Sequence, residues 1–286
     1  MYNAYKHISK TFLTISIATL AFSSCKSDKA ENTIMAEGLF NKAQTALHSG
    51  NAHECISLLD SLDSNFIEER AIIQQSMNLR PQALLQIATE EIATTDSIIN
   101  TNKAKLDSLK PLMTHIDIPG TEGYSLVKTM VDPNFMNKTG ISPRVSEIGE
   151  FYLVTSVNPA GGLKHWSVSA VVGNMIATSD TVTYDGALNF RINNSEVITF
   201  TPAGSNNIGE LVANNPNLPV KIIFNGENGK SKSISLSPSQ VEGMATAYRY
   251  ALAINDMRNA TINLERLNAR CIKLQQQIDN YSPDTK

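Results

Sequence analysis

The chain has 286 residues, of which 42% are hydrophobic, 18% charged and 6% aromatic, with a formal net charge of -3. That composition is of a globular protein able to bury one large core or two modest ones, and its acidic balance excludes the basic face that nucleic-acid binding needs. Lys6 and Lys10 are the only Lys, Arg, Asp or Glu among residues 1–24, so the remainder is more acidic still.

The first element is an apolar run, "TFLTISIATLAF", about a dozen residues long behind the two lysines. A membrane span needs roughly twenty, so the run has the length of a signal-peptide core. It ends at Leu20-Ala21-Phe22-Ser23-Ser24-Cys25. This stretch resembles the lipobox of bacterial lipoproteins, with Phe22 standing where Leu is commonest. The resemblance implies cleavage after residue 24, acylation of the Cys25 thiol and then of the new amino terminus. Two or more acyl chains anchor a protein stably where one does not. The expectation is an outer-membrane lipoprotein held by its lipid, with the leaflet open. Residues 25–33, around "KSDKAENT", read as a short tether.

Residues 34–80 begin with two helices parted by Ser49-Gly50-Asn51. "SGNAHECISLL" resembles the turn of a tetratricopeptide repeat, in a single copy. Pro81 lacks the N–H that a helix interior uses, so it predicts an end or kink there. Residues 81–116 then form a first long helix, whose seam Leu85, Ala88, Ile92, Thr95, Ile99, Asn102, Leu106, Leu109, Met113 steps by three and four. His115 falls at its exit, where a cation suits the helix dipole.

Residues 117–236 change period. Six β-branched runs, at 150–157, 165–173, 175–185, 195–202, 219–226 and 232–238, are broken by turn chemistry such as "NPAGG" and "NGENGK". They predict a compact antiparallel β domain, with 207–215 a short helix. Ser237-Pro238-Ser239-Gln240 then opens a second long helix over 237–282. Its seam runs Tyr250, Ala253, Met257, Ala260, Leu264, Leu267, Cys271, Leu274, Ile278, Tyr281, over about 60 Å at the rise of a helix. The expected class is α+β: an N-terminal helical hairpin, a long antiparallel coiled-coil-like helix pair and an antiparallel β domain inserted between the two long helices. Two alternatives stand beside it: helices layered on the sheet, and a parallel homodimeric coil.

No catalytic constellation is present, so an enzyme is not expected, and nothing points to a cofactor or metal. His48 and His53 are five apart across a helix break, not at metal-ligand spacing. Cys55 and Cys271 fall among apolar positions, where a free thiol packs as a small hydrophobe; a disulfide between them stays open. His165-Trp166 follows a Gly-rich loop at the start of a strand. Strand alternation sends the two side chains to opposite faces, so either Trp166 anchors the core with His165 outward, or the pair forms a stacking patch for a sugar or peptide. Asp60-Ser61-Leu62, Asp96-Ser97-Ile98, Asp107-Ser108-Leu109 and Asp180-Thr181-Val182 resemble the acceptor triplet of one bacterial envelope O-glycosylation system. The resemblance implies Ser61, Ser97, Ser108 and Thr181 as acceptors; amphipathicity alone also yields such triplets on helices. The functional expectation is a lipid-anchored envelope protein of structural or binding role, held to the membrane by its lipid, a stalk presenting a β module to an envelope-protein or glycan partner. A glycan- or peptide-binding component of a surface uptake system is the alternative, and an envelope enzyme a second one.

Overall fold

The structure is a computed structural model that describes residues 27–118 and 122–281. Residues 1–26, with the lipobox and Cys25, lie outside the described residues. The molecule is α+β, as its sequence pattern indicates. No helix among the described residues is long and apolar enough to cross a membrane. The described residues divide into two compact units, 27–86 with 275–281, and 87–118 with 122–274.

In the first unit, α1 (Ser27–His48) and α2 (Ala52–Asn65) form a hairpin, and α3 (Arg70–Leu109) begins beside it. Helix α1 already starts at Ser27, inside the stretch expected to be a tether; Lys, Ala and Glu there are good helix formers. Gly50 takes the left-handed conformation at φ +84°, which ends α1 without a Cβ penalty. Asn51 restarts the chain: its Oδ1 accepts from the Glu54 N–H at 3.2 Å while its amide donates to Glu54 Oε2 at 2.6 Å. Ala36, Phe40 and Ala43 of α1, Cys55, Leu59 and Leu62 of α2, and Ile72, Leu79 and Ala83 of α3 fill the interior. Burial pushes the Cys55 thiol up, and the Arg80 charge only partly opposes it. Cys55 and Cys271 are both free thiols.

Pro81 does not end the helix; α3 runs through it. An interior proline costs about 3 kcal/mol, and tertiary contacts on both sides offset that here. Leu79 and Ala83 are buried, and the Arg80 guanidinium bridges Asp60 and Asp63 of α2, each at 2.6 Å.

The second unit holds two antiparallel sheets. Strands β1 (Met113–Ile116), β2 (Tyr124–Val127), β3 (Gly140–Val145), β4 (Phe151–Val157), β8 (Ser195–Phe200) and β7 (Asn189–Ile192) form the first, in that order. The second sheet runs β10 (Ser231–Ser235), β9 (Val220–Asn225), β5 (Ser167–Val172), β6 (Met175–Thr178). The expected run at 175–185 supplies only the four residues of β6. Four strands were not expected: β1, β2, β3 and β7. His115 therefore sits in a strand rather than at a helix exit, with Nε2 3.2 Å from Asp117; the first long helix stops at Leu109, before Pro111.

Core residues come from both sheets, from α4 (Pro202–Asn214) and from the first turns of α5 (Pro238–Asp279). Phe151 and Tyr248 meet edge to face with centroids 5.3 Å apart. α5 opens with a reciprocal capping box: Gln240 N–H donates to Ser237 Oγ at 3.3 Å and Ser237 N–H to Gln240 Oε1 at 2.9 Å. Val241, Met244, Ala245 and Tyr248 pack into the β core. Beyond them the seam takes over, and Ala253, Ala260 and Leu267 are buried at heptad spacing. On α3, Ala88, Thr95 and Asn102 are buried at the same spacing. Asn263 donates to Thr95 Oγ1 at 3.3 Å and Arg270 reaches Glu91 at 3.9 Å, so the two helices run past each other in opposite directions.

Candidate functional site

A cavity of about 610 Å³ opens where β7, at the edge of the first sheet, meets the start of β5 in the second. His165 and Trp166 both line it, and so does Thr181. Their orientation reverses the core-tryptophan expectation: His165 is 2% exposed and Trp166 42% exposed. Alternation held, but the inward position went to the imidazole because buried polar partners were waiting for it.

Those partners are Glu196 of β8 and Thr155 of β4. Glu196 Oε1 accepts from the Lys164 N–H and Oε2 from the His165 N–H, both at 2.8 Å. Oε2 also lies 3.0 Å from His165 Nδ1, and Thr155 Oγ1 lies 3.0 Å from Nε2. The pattern fits a neutral imidazole that donates from Nδ1 and accepts the threonine hydroxyl at Nε2. The ring stands edge-on to Phe224 at 5.9 Å. Burial drives the His165 pKa below the ordinary histidine value, the Glu196 carboxylate opposing it. Burial alone would raise Glu196, but the bonds from the His165 ring and from the two backbone N–H groups outweigh it and hold the carboxyl below its ordinary range.

Thr155, His165 and Glu196 thus stand in the order of a nucleophile, base and orienting acid. Thr155 is fully buried on the core side of β4, so its hydroxyl reaches no molecule in the cavity. The trio is a clamp. It ties the loop after "NPAGG" to β8 and fixes the backbone from which Trp166 projects. Trp166 N–H donates to Asn225 O at 2.9 Å and its carbonyl accepts from Val182 N–H at 2.8 Å. Gly226 lets the turn after β9 close on the same loop, because a Cβ there would stand 2.2 Å from Leu163 O.

On the solvent side the cavity carries Tyr184, 63% exposed, with the Arg191 guanidinium 5.1 Å from its ring centre. Arg191 Nε is 3.8 Å from Glu196 Oε1, and Lys164 Nζ is 3.0 Å from Glu227 Oε2. Two cations and two carboxylates leave the mouth close to neutral. Asp185 shapes the Tyr184 loop by accepting from the N–H groups of Ala187, Leu188 and Asn189, each at 2.9 Å. Asn189 donates to Val182 O at 2.8 Å. Two aromatic faces beside hydrogen-bonding side chains suit a hydroxyl-rich, uncharged ligand.

Ser61, Ser97 and Ser108 lie elsewhere, on α2 and α3, with Ser61 bonded to Ser57 O and Ser108 to Lys105 O. Ser97 is exposed. No group of three or more His, Cys, Asp or Glu placed to hold a metal exists among the described residues. Tyr184, Arg191 and Glu227 had no sequence signal: they come from three separate segments, and "GENGK" reads as a turn. Compared with family models, curated proteins and solved structures, the chain matches none.

Proposed function

We propose that this is a lipid-anchored envelope protein that binds a glycan through the Trp166 cleft. One observation carries the binding reading: two exposed aromatic side chains, Trp166 and Tyr184, flank a cavity of about 610 Å³ whose mouth offers both donors and acceptors. Pyranose rings present apolar C–H faces to aromatic rings and hydroxyls to polar side chains, which is the pairing these residues provide. The His165–Glu196 clamp supports it by holding the Trp166 backbone before any ligand arrives, so little ordering cost falls on binding. An acyl transfer or hydrolysis reading is disfavoured because the Thr155 hydroxyl is sealed in the core.

Trp166 is the single tryptophan of the chain, so its emission reports on the cleft alone. Titration with a panel of neutral oligosaccharides shifts that emission saturably, and Tyr184→Ala and Arg191→Ala each weaken the response at least about tenfold. No change with any member of the panel refutes the glycan reading. The anchor is tested separately: Cys25→Ala moves the protein from the detergent-extracted membrane fraction into the aqueous one. Retention of that variant with membranes refutes lipidation.

A further inference from the structure

We propose that the outer face of the first sheet carries a second binding site, built on Arg144, that takes a carboxylate group. In the pairing of β3 with β4, Arg144 stands opposite Tyr152, with Val145 opposite Phe151. Val145 and Phe151 belong to the core, so Arg144 and Tyr152 point to the other face. There the Arg144 guanidinium lies 4.2 Å from the centre of the Tyr124 ring. Its Nε is buried without a hydrogen-bond partner, and it makes no ion pair among the described residues.

That state is unusual on physical grounds. A guanidinium withdrawn from water needs a carboxylate or several acceptors to offset its desolvation. Arg80 in the same chain has two aspartates at 2.6 Å. Arg144 has one aromatic face, and burial lowers its pKa with only Tyr124 opposing. A guanidinium held over a ring by its central carbon still has N–H donors to offer, and its fork matches a carboxylate in a bidentate contact. Arg144 borders a cavity of about 230 Å³ shared with Tyr124, Ser146, Tyr152 and Thr199, room for a small acid or the acidic end of a larger molecule. The Tyr152 hydroxyl donates to Glu150 Oε2 at 2.7 Å. Glu122 also borders the cavity. Its charge disfavours a doubly charged phosphate more than a singly charged carboxylate, which decides between the two oxyanions.

The test uses the full chain in chloride, with acetate or phosphate substituted at constant ionic strength and thermal unfolding as readout. Acetate raises the midpoint saturably and phosphate raises it less. Arg144→Met abolishes the acetate effect while melting no lower than the wild type in chloride, since it removes an unpaired charge and keeps the stem. Arg144→Lys keeps the charge but loses the fork, and weakens acetate about tenfold. An acetate effect that is absent, or unchanged in Arg144→Met, overturns the site. So does an Arg144→Met midpoint well below the wild type, which would make the guanidinium a structural support. A larger shift with phosphate overturns the carboxylate assignment.

Discussion

Glu196→Gln is nearly isosteric, yet it strikes the clamp under the cleft at its most demanding point. The carboxylate accepts three N–H donors: Lys164 N and His165 N at 2.8 Å, and His165 Nδ1 at 3.0 Å. A glutamine has one acceptor oxygen, and its amide group must face a backbone N–H with nothing to accept. One buried donor is left orphaned at about 1–3 kcal/mol, and the retained bonds lose their charge assistance, roughly halving them. The expected loss is about 3 kcal/mol, or a midpoint fall of about 6–12 °C for a unit of this size. Thermal unfolding followed by Trp166 emission measures it directly, because that ring projects from the backbone the clamp holds. A loss below about 1 kcal/mol would mean that water reaches the carboxylate and that the site is not preorganised.

The same clamp sets a pH response. Both His165 and Glu196 have folded values below their ordinary ones, so below pH ~6.5 the unfolded chain binds more protons than the folded one and stability falls with acidification. Urea unfolding between pH 7 and 5 shows this loss, and His165→Gln flattens the curve; an equal slope in that variant would place the proton elsewhere. Gly149 has φ +84°, and a Cβ on it would stand 2.5 Å from Asn255 N and 2.7 Å from Ala251 O. Gly149→Ala therefore combines left-handed strain with a backbone overlap and costs about 3 kcal/mol in denaturant unfolding; a change within 0.5 kcal/mol, roughly the surface-substitution level, contradicts the close approach. Ser237→Ala removes one bond of the α5 capping box and costs about 1 kcal/mol. An unchanged midpoint would show that Pro238 suffices to start the helix.

The helices were legible because their signals are local or strictly periodic. The seam Ala88, Thr95, Asn102 could be read as a register of 3.5, and those residues are buried at that spacing. Ser237 and Gln240 cap each other as their spacing implies. Pro81 does not end α3: buried Leu79 and Ala83 and the Arg80 ion pairs to α2 flank it, and the partners of those contacts lie outside any window of α3. The missed strands are short or disguised. β1 and β2 have four residues each, β7 lies among asparagines, and β3 contains Gly140 and Pro143. His165 and Trp166 stood out as a pair, but which of them turned inward depended on Glu196, thirty-one residues away. Alternation supplies two faces; only the partner decides which is the core.

That alternation also separates the two proposed sites. In β4, Thr155 faces the core and Tyr152 faces outward; in β8, Glu196 stands opposite core Val157, while Thr199 stands opposite outward Val154. The Trp166 cleft therefore draws on the inner face of the first sheet and the Arg144 cavity on its outer face, with the strands as a common rigid floor. Neither site shares a side chain with the other. Coupling between them would have to pass through backbone positions of β4 and β8 that a close-packed core holds still, so the effects of Glu196→Gln and Arg144→Met on stability add to within about 0.5 kcal/mol. A larger interaction term would mean that one sheet face moves when the other is disturbed, and that occupancy of the outer site reaches the cleft.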